Sequence, residues 1–175
     1  MNTNVGKKVV YPNQGPCRIG AVIEKAFAGR STSVYPLAVL DDSGDVLFVP
    51  VNKFKIAGMR KLIEKSEIPK LLMQLNQEAE TASASNTATN WKQRALDNSK
   101  LLSSGQAFDL VKIIGSLTEL GETRALSLRD REALDKARKN LICEISEVMG
   151  ETKGAAAKQV DDALKIATRK IKNSQ

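Results

Sequence analysis

The spacing of apolar residues changes period once along this 175-residue chain, near Ser66, and does not change back. Up to that point apolar residues come in short runs separated by turn formers: Lys8-Val9-Val10-Tyr11, then Pro12-Asn13-Gln14-Gly15-Pro16, then Cys17-Arg18-Ile19-Gly20-Ala21-Val22-Ile23. Val34 to Leu40 follows, and the turn Asp41-Asp42-Ser43-Gly44-Asp45 leads into Val46 to Val51. Runs of roughly four to eight residues with Gly, Pro and Asp between them predict a small antiparallel barrel or a strongly bent sheet.

From Ile68 the spacing is helical. Pro69 suits a first helical turn, and Leu71, Leu72, Leu75 and Ala79 form one stripe. A second helix opens at Asn90, which has capping-box spacing with Gln93, and carries Leu101 and Leu102. The third starts at Ser103-Ser104-Gly105-Gln106, carries Leu110, Ile113, Ile114, Leu117 and Leu120, and stops at Gly121. Ser127 with Asp130 caps a fourth, with Leu134, Ala137, Leu141, Ile145 and Val148 running to Gly150, and the last places Val160, Leu164, Ala167 and Ile171 on a stripe. Such helices hold only by burying their stripes against one another. The fold class expected is α+β, a β module over residues 1–64 followed by a compact all-α bundle of about five helices over 67–175.

With 42% hydrophobic residues the chain can bury a real core in each part. It contains no run of about 18 apolar residues and no basic-then-apolar leader, which predicts a soluble, unexported, cytoplasmic protein. Cys17 and Cys143 stand far apart with no second pair, so ordinary thiols are expected, with no disulfide framework and no zinc. Histidine is absent, which removes the imidazole base, the Ser-His or Cys-His pair and the His metal ligand. The carboxylates are scattered along helical patterns or sit in turns, and the Asp41 to Asp45 cluster lacks both the closing Glu and the flanking helices of a calcium loop. Gly150-Glu151-Thr152-Lys153-Gly154 is no P-loop. A non-enzyme with no cofactor and no metal is the expectation.

The formal charge is +7, which favours an anionic partner. Residues 1–66 contribute +5 of it and the longer helical part +2, so the second part is basic only in patches, and any single patch is more often the solvated face of a helix. Trp91 is the one tryptophan of the chain, placed where the polar stretch at 82–90 meets a helix opening Trp91-Lys92-Gln93-Arg94. A flat apolar ring beside cations suits contact with nucleic acid. A lone Trp is more often core filler, and a fixed helix start aims a ring inward or outward.

Val5-Gly6-Lys7-Lys8-Val9-Val10-Tyr11-Pro12 with Gly15 after it, Val49-Pro50, Thr89-Asn90-Trp91, and Leu126-Ser127 leading to Lys136-Ala137-Arg138 occur in an order covering nearly the whole chain. In these segments the sequence resembles the CarD/CdnL-type bacterial transcription regulators, whose N-terminal module is shared with transcription-repair coupling factor. The resemblance implies a Tudor-like N-terminal domain that binds the β subunit of bacterial RNA polymerase, and a helical domain that contacts promoter DNA at the upstream edge of the melted bubble. It implies a minor-groove wedge at Trp91 and DNA-facing cations at Arg94 and Arg131. Lys92, Lys136 and Arg138 are further candidates that read equally as a charged helix face. Gln93 and Leu96 stand where some relatives carry cations. On the polymerase side it implies Lys25 and, in place of a frequent Arg, Phe48, which is either an apolar anchor or a core residue on the alternate strand face. The protein is then expected to act as a monomer. Two other classes stay open on the residues alone: a polymerase-independent, non-specific nucleic-acid-binding protein, and a protein-interaction adaptor.

Overall fold

The computed structural model describes residues 4–84 and 90–172, apart from the side chains of residues 56, 83–84 and 166–172. The stripe positions Ala167 and Ile171, and Thr89, therefore lie outside what is described. The chain divides into two compact units, Met1–Leu62 and Ile63–Gln175.

In the first unit β1 (Lys8–Tyr11), β2 (Gly15–Ile19), β3 (Ile23–Phe27), β4 (Arg30–Val39) and β5 (Val46–Pro50) form one antiparallel sheet. The ten-residue β4 is its spine, pairing with β3 and then β2 along one edge and with β5 along the other. Arg60 returns to exchange two backbone hydrogen bonds with Val10 of β1, at 2.8 and 3.1 Å. Cys17, Ile19, Tyr35, Leu37, Val39 and Val49 form the core of this small bent sheet, and the Tyr35 and Phe54 rings meet at 4.5 Å.

The apolar run from Cys17 to Ile23 is two strands, not one. It breaks at Gly20, where a Cβ would lie 2.8 Å from Pro36 Cγ. The hairpin of β3 and β4 has no signature in the sequence, because most of β3 is exposed and its turn is Ala28-Gly29. Both turn residues have positive φ, 49° and 77°, the pattern of a type I′ turn, which Asn-Gly or Asp-Gly normally announces. Glu24 faces this hairpin's second strand and accepts hydrogen bonds from Ser33 and Ser31, which hold its carboxyl below the usual range.

The second unit comprises α1 (Ile68–Ala84), α2 (Trp91–Ser104), α3 (Ala107–Thr123), α4 (Leu128–Met149) and α5 (Lys153–Lys172). Their stripes meet in one core in which Leu71, Leu75, Ile113, Ile114, Leu117, Leu141, Ile145 and Val160 are completely buried. Glu144, also buried, accepts the Ile63 backbone N–H at 2.9 Å and so fixes the chain where it enters the bundle. Two boundaries differ from the sequence reading. Ser103 and Ser104 end α2 before Gly105 turns left-handed at φ 66°, and Ser104 then accepts the Gln106 N–H. Gly121 does not stop α3; the helix runs on to Thr123, with Gly121 facing the Leu126 side chain.

Candidate nucleic-acid interface

α2 starts at Trp91 because Asn90 caps it, its Oδ1 accepting the Lys92 N–H at 3.0 Å. The cap is not reciprocal: Gln93 donates to Asp97 at 2.9 Å, one turn along. At this capped end Trp91 is 52% exposed and outside the bundle core, so the core-filler alternative is not the arrangement this domain adopts. The Lys92 ammonium sits 5.6 Å from the ring centroid, which loads one face of the indole with positive charge.

Arg94, three residues on, is turned the other way. Its Nε and one terminal nitrogen donate to the two oxygens of Asp130 at 3.0 and 2.8 Å, a planar fork on a carboxylate. The Arg94 side chain is 16% exposed and that of Asp130 2%. Asp130 belongs to the first turn of α4, where the N-cap Ser127 donates to it at 2.7 Å and accepts its backbone N–H. The Arg94 bond, foremost, holds the Asp130 carboxyl below its ordinary range, and the same bond raises the guanidinium. A sequence reading that turns Arg94 toward DNA thus meets a guanidinium already engaged by a buried carboxylate. What the fork does is clamp the first turn of α2 to that of α4, holding Trp91 in place.

The other cations divide. Lys92, Arg131 and Lys136 are exposed, whereas Arg138 pairs with Asp161 of α5 at 2.7 Å. Arg129 and Lys136 are seven residues apart on α4, two turns along one face, with Glu132 between them. Sequence reasoning counts Arg129 in a basic patch but not as a site residue and passes over the 65%-exposed Leu128 beside it, although both lie in the first turn after the Ser127 cap. Between these helix starts lies a groove of about 680 Å³, walled by Trp91, Ala95, Asn98 and Ser99 on α2 and by Arg129 and Glu132 on α4.

In the β module the Lys25 ammonium lies 3.3 Å from the Phe48 ring centroid and 5.8 Å from that of Phe27. Phe48 is half-buried, but it is its neighbours Leu47 and Val49 that pack on the core. Strand alternation therefore puts Phe48 on the outer face, which removes the core alternative for it. Ile23 and Phe27 flank Lys25 at alternate positions of β3, Val46 stands two residues before Phe48 on β5, and all three are exposed. None of the three was legible as a site residue, because exposure on a short strand leaves no periodic mark.

The two units, a bent β module with an outward apolar and cationic face and a helical domain that displays one Trp among cations, each match a known domain family. The chain belongs to the CarD family: residues 70–161 match the model of the CarD C-terminal domain and residues 4–63 that of the CarD-like/TRCF RID domain. Among its relatives is "Putative transcription factor YdeB" of Bacillus subtilis (strain 168), 25% identical over 148 residues, which cover 85% of this chain and 93% of the relative. Neither the matched domains nor the relative carry an enzyme's description. Among the described residues no helix is long and apolar enough to cross a membrane.

Proposed function

We propose that this regulator docks through its β module on the β subunit of bacterial RNA polymerase and holds promoter DNA open by inserting Trp91 at the upstream fork of the bubble. The observation that carries this reading is the half-exposed indole, fixed at a capped helix start that a buried ion pair clamps in place. An apolar side chain wedged at a base step exploits unstacking, and a fork junction is already partly unstacked, so insertion is less costly there. Lys92, Arg131 and Lys136, with Arg129, hold backbone phosphates without reading sequence, while Arg138 contributes charge already shared with Asp161. Lys25, seated on Phe48 with exposed Ile23 and Phe27 beside it on β3, is the centre of the polymerase-facing surface. Docking raises the local concentration of the helical domain at the DNA.

No covalent chemistry or cofactor is needed, and one copy of the chain suffices. The protein acts wherever polymerase is, in the cytoplasm on the nucleoid. Trp91 favours the open complex by binding it better than the closed one, and a difference of about 1.4 kcal/mol shifts that equilibrium tenfold. The test is Trp91→Ala, read as open-complex lifetime on a responsive promoter together with thermal unfolding. A shortened lifetime at unchanged melting temperature supports the wedge; a large fall in melting temperature gives Trp91 a structural role instead.

A further inference from the structure

Strand register sets two cations opposite one another on the outer face of the β sheet. Lys8 of β1 pairs with Arg18 of β2, Arg18 with Ala38 of β4, and Ala38 with Val46 of β5, so the four form one row across the sheet. Directly opposed residues of antiparallel strands share a face, and all four of these are exposed. Like charges in opposed positions weaken a strand pair, so the cation at 18 is no asset to the sheet itself. Its neighbours Cys17 and Ile19 turn into the core, which leaves Arg18 no share in the packing. Among the described residues no ion pair or side-chain hydrogen bond engages it. The row also adjoins the Lys25 and Phe48 surface, because Val46 stands two residues before Phe48 on β5 and alternation puts both on one face.

We propose that Arg18 is a second docking point of the β module and receives a carboxylate side chain of the polymerase β subunit. The inference rests on the docking read from Lys25 and Phe48 and adds to it the chemistry of a further contact. Ala38 presents only a methyl group beside Arg18, so a partner side chain can approach the guanidinium from that side. The planar fork of a guanidinium matches the two oxygens of a carboxylate. Lys8 adds positive charge next to it, and residues 1–66 carry +5 in all, so an acidic group is attracted here and a basic one repelled. A DNA backbone suits the row less well: Ala38, Val46 and Phe48 make the surface apolar between its cations, whereas surfaces that bind DNA are more polar and more densely charged.

The experiment uses the full chain and the cognate RNA polymerase, with affinity read by biolayer interferometry and thermal unfolding measured on the same variants. Arg18→Glu should bind polymerase about tenfold more weakly, equivalent to ~1.4 kcal/mol. Arg18→Lys keeps the charge without the fork and should lie between that variant and the parent. Both should melt no lower than the parent, because glutamate opposite Lys8 replaces a repulsion with an attraction. Weaker binding at an undiminished melting temperature is therefore the expected result. Unchanged polymerase binding by Arg18→Glu overturns the proposal, and so does a fall in melting temperature that accompanies the loss, which would make Arg18 a structural residue. A third overturning result is weakened binding of duplex DNA, read by anisotropy, with polymerase binding intact, since that assigns the cation to a phosphate. Lys25→Ala and Phe48→Ala are measured alongside. If they weaken polymerase binding and Arg18→Glu does not, only the second docking point is lost; if none of the three weakens it, the docking of this face on polymerase is itself wrong.

Discussion

Arg94→Ala should destabilise the helical domain far more than loss of a surface cation would. The guanidinium makes two charge-assisted hydrogen bonds, at 3.0 and 2.8 Å, to a carboxylate that is 2% exposed. Removing one member of a buried pair leaves the other charge stranded, at a cost of about 3–5 kcal/mol. Asp130 keeps Ser127 as a donor and sits in the first turn of α4, where the helix dipole offsets up to ~1 kcal/mol of that loss. The expected net loss is about 2–4 kcal/mol, a large share of an ordinary domain's stability. Urea unfolding followed by far-UV circular dichroism on Arg94→Ala, Asp130→Ala and the double variant measures the coupling directly, and it should reach about 1–3 kcal/mol. The pH dependence has a definite sign. Asp130 is depressed in the folded state, so the pair's contribution is complete above the unfolded carboxylate value of ~3.9 and fades as pH falls through the lower folded value. The advantage of the parent over Arg94→Ala should therefore shrink only in acid. Single losses that add to within ~0.5 kcal/mol, or an Arg94→Ala loss below ~1 kcal/mol, would refute the clamp and return Arg94 to the surface.

Three further outcomes follow from named contacts. Arg131 is exposed, so if it holds a phosphate, Arg131→Ala should reduce the salt dependence of DNA binding by ~0.9 log units per log unit of salt, and an unchanged slope assigns it to solvent. Gly115→Ala should destabilise the bundle by about 1–3 kcal/mol in thermal or urea unfolding, because its Cβ would lie 2.7 Å from Glu78 Cβ and 3.0 Å from the Ala79 backbone N; a neutral result would mean that α1 and α3 separate easily. Lys25→Ala and Phe48→Ala should each weaken polymerase β-subunit binding in a pull-down while leaving the β module folded, since an exposed cation–π contact is worth only ~0.5–1 kcal/mol; undiminished binding would move the docking surface elsewhere.

The period change near Ser66 and the stripes of α1, α3 and α4 were readable because burial leaves a periodic trace, and those stripes are the bundle core. β3 was not readable, since its mostly exposed residues carry no alternation and Ala28-Gly29 makes a turn that its composition does not advertise. At the site, Trp91 and its Asn90 cap stood out as a rare residue beside a strong helix-start signal. Sequence gave no sign that Arg94 faces inward, because the fork spans 36 residues and only the packing of α2 on α4 brings Asp130 to it. Asn98 was invisible for the related reason that a polar residue within a polar helix reads as solvated until burial is known. Phe48 needed strand register to decide its face, which one residue of slip would reverse.

Entry of the residue at position 91 into the DNA fork can be read by site-specific photocrosslinking. A photoreactive aromatic residue replaces Trp91 in the full chain, which is assembled with the cognate polymerase on a labelled promoter and irradiated before and after melting. Crosslinks to nucleotides at the upstream edge of the bubble are expected in the open complex, and far fewer in the closed one. Crosslinks to protein alone, or to DNA equally in both states, would contradict that entry.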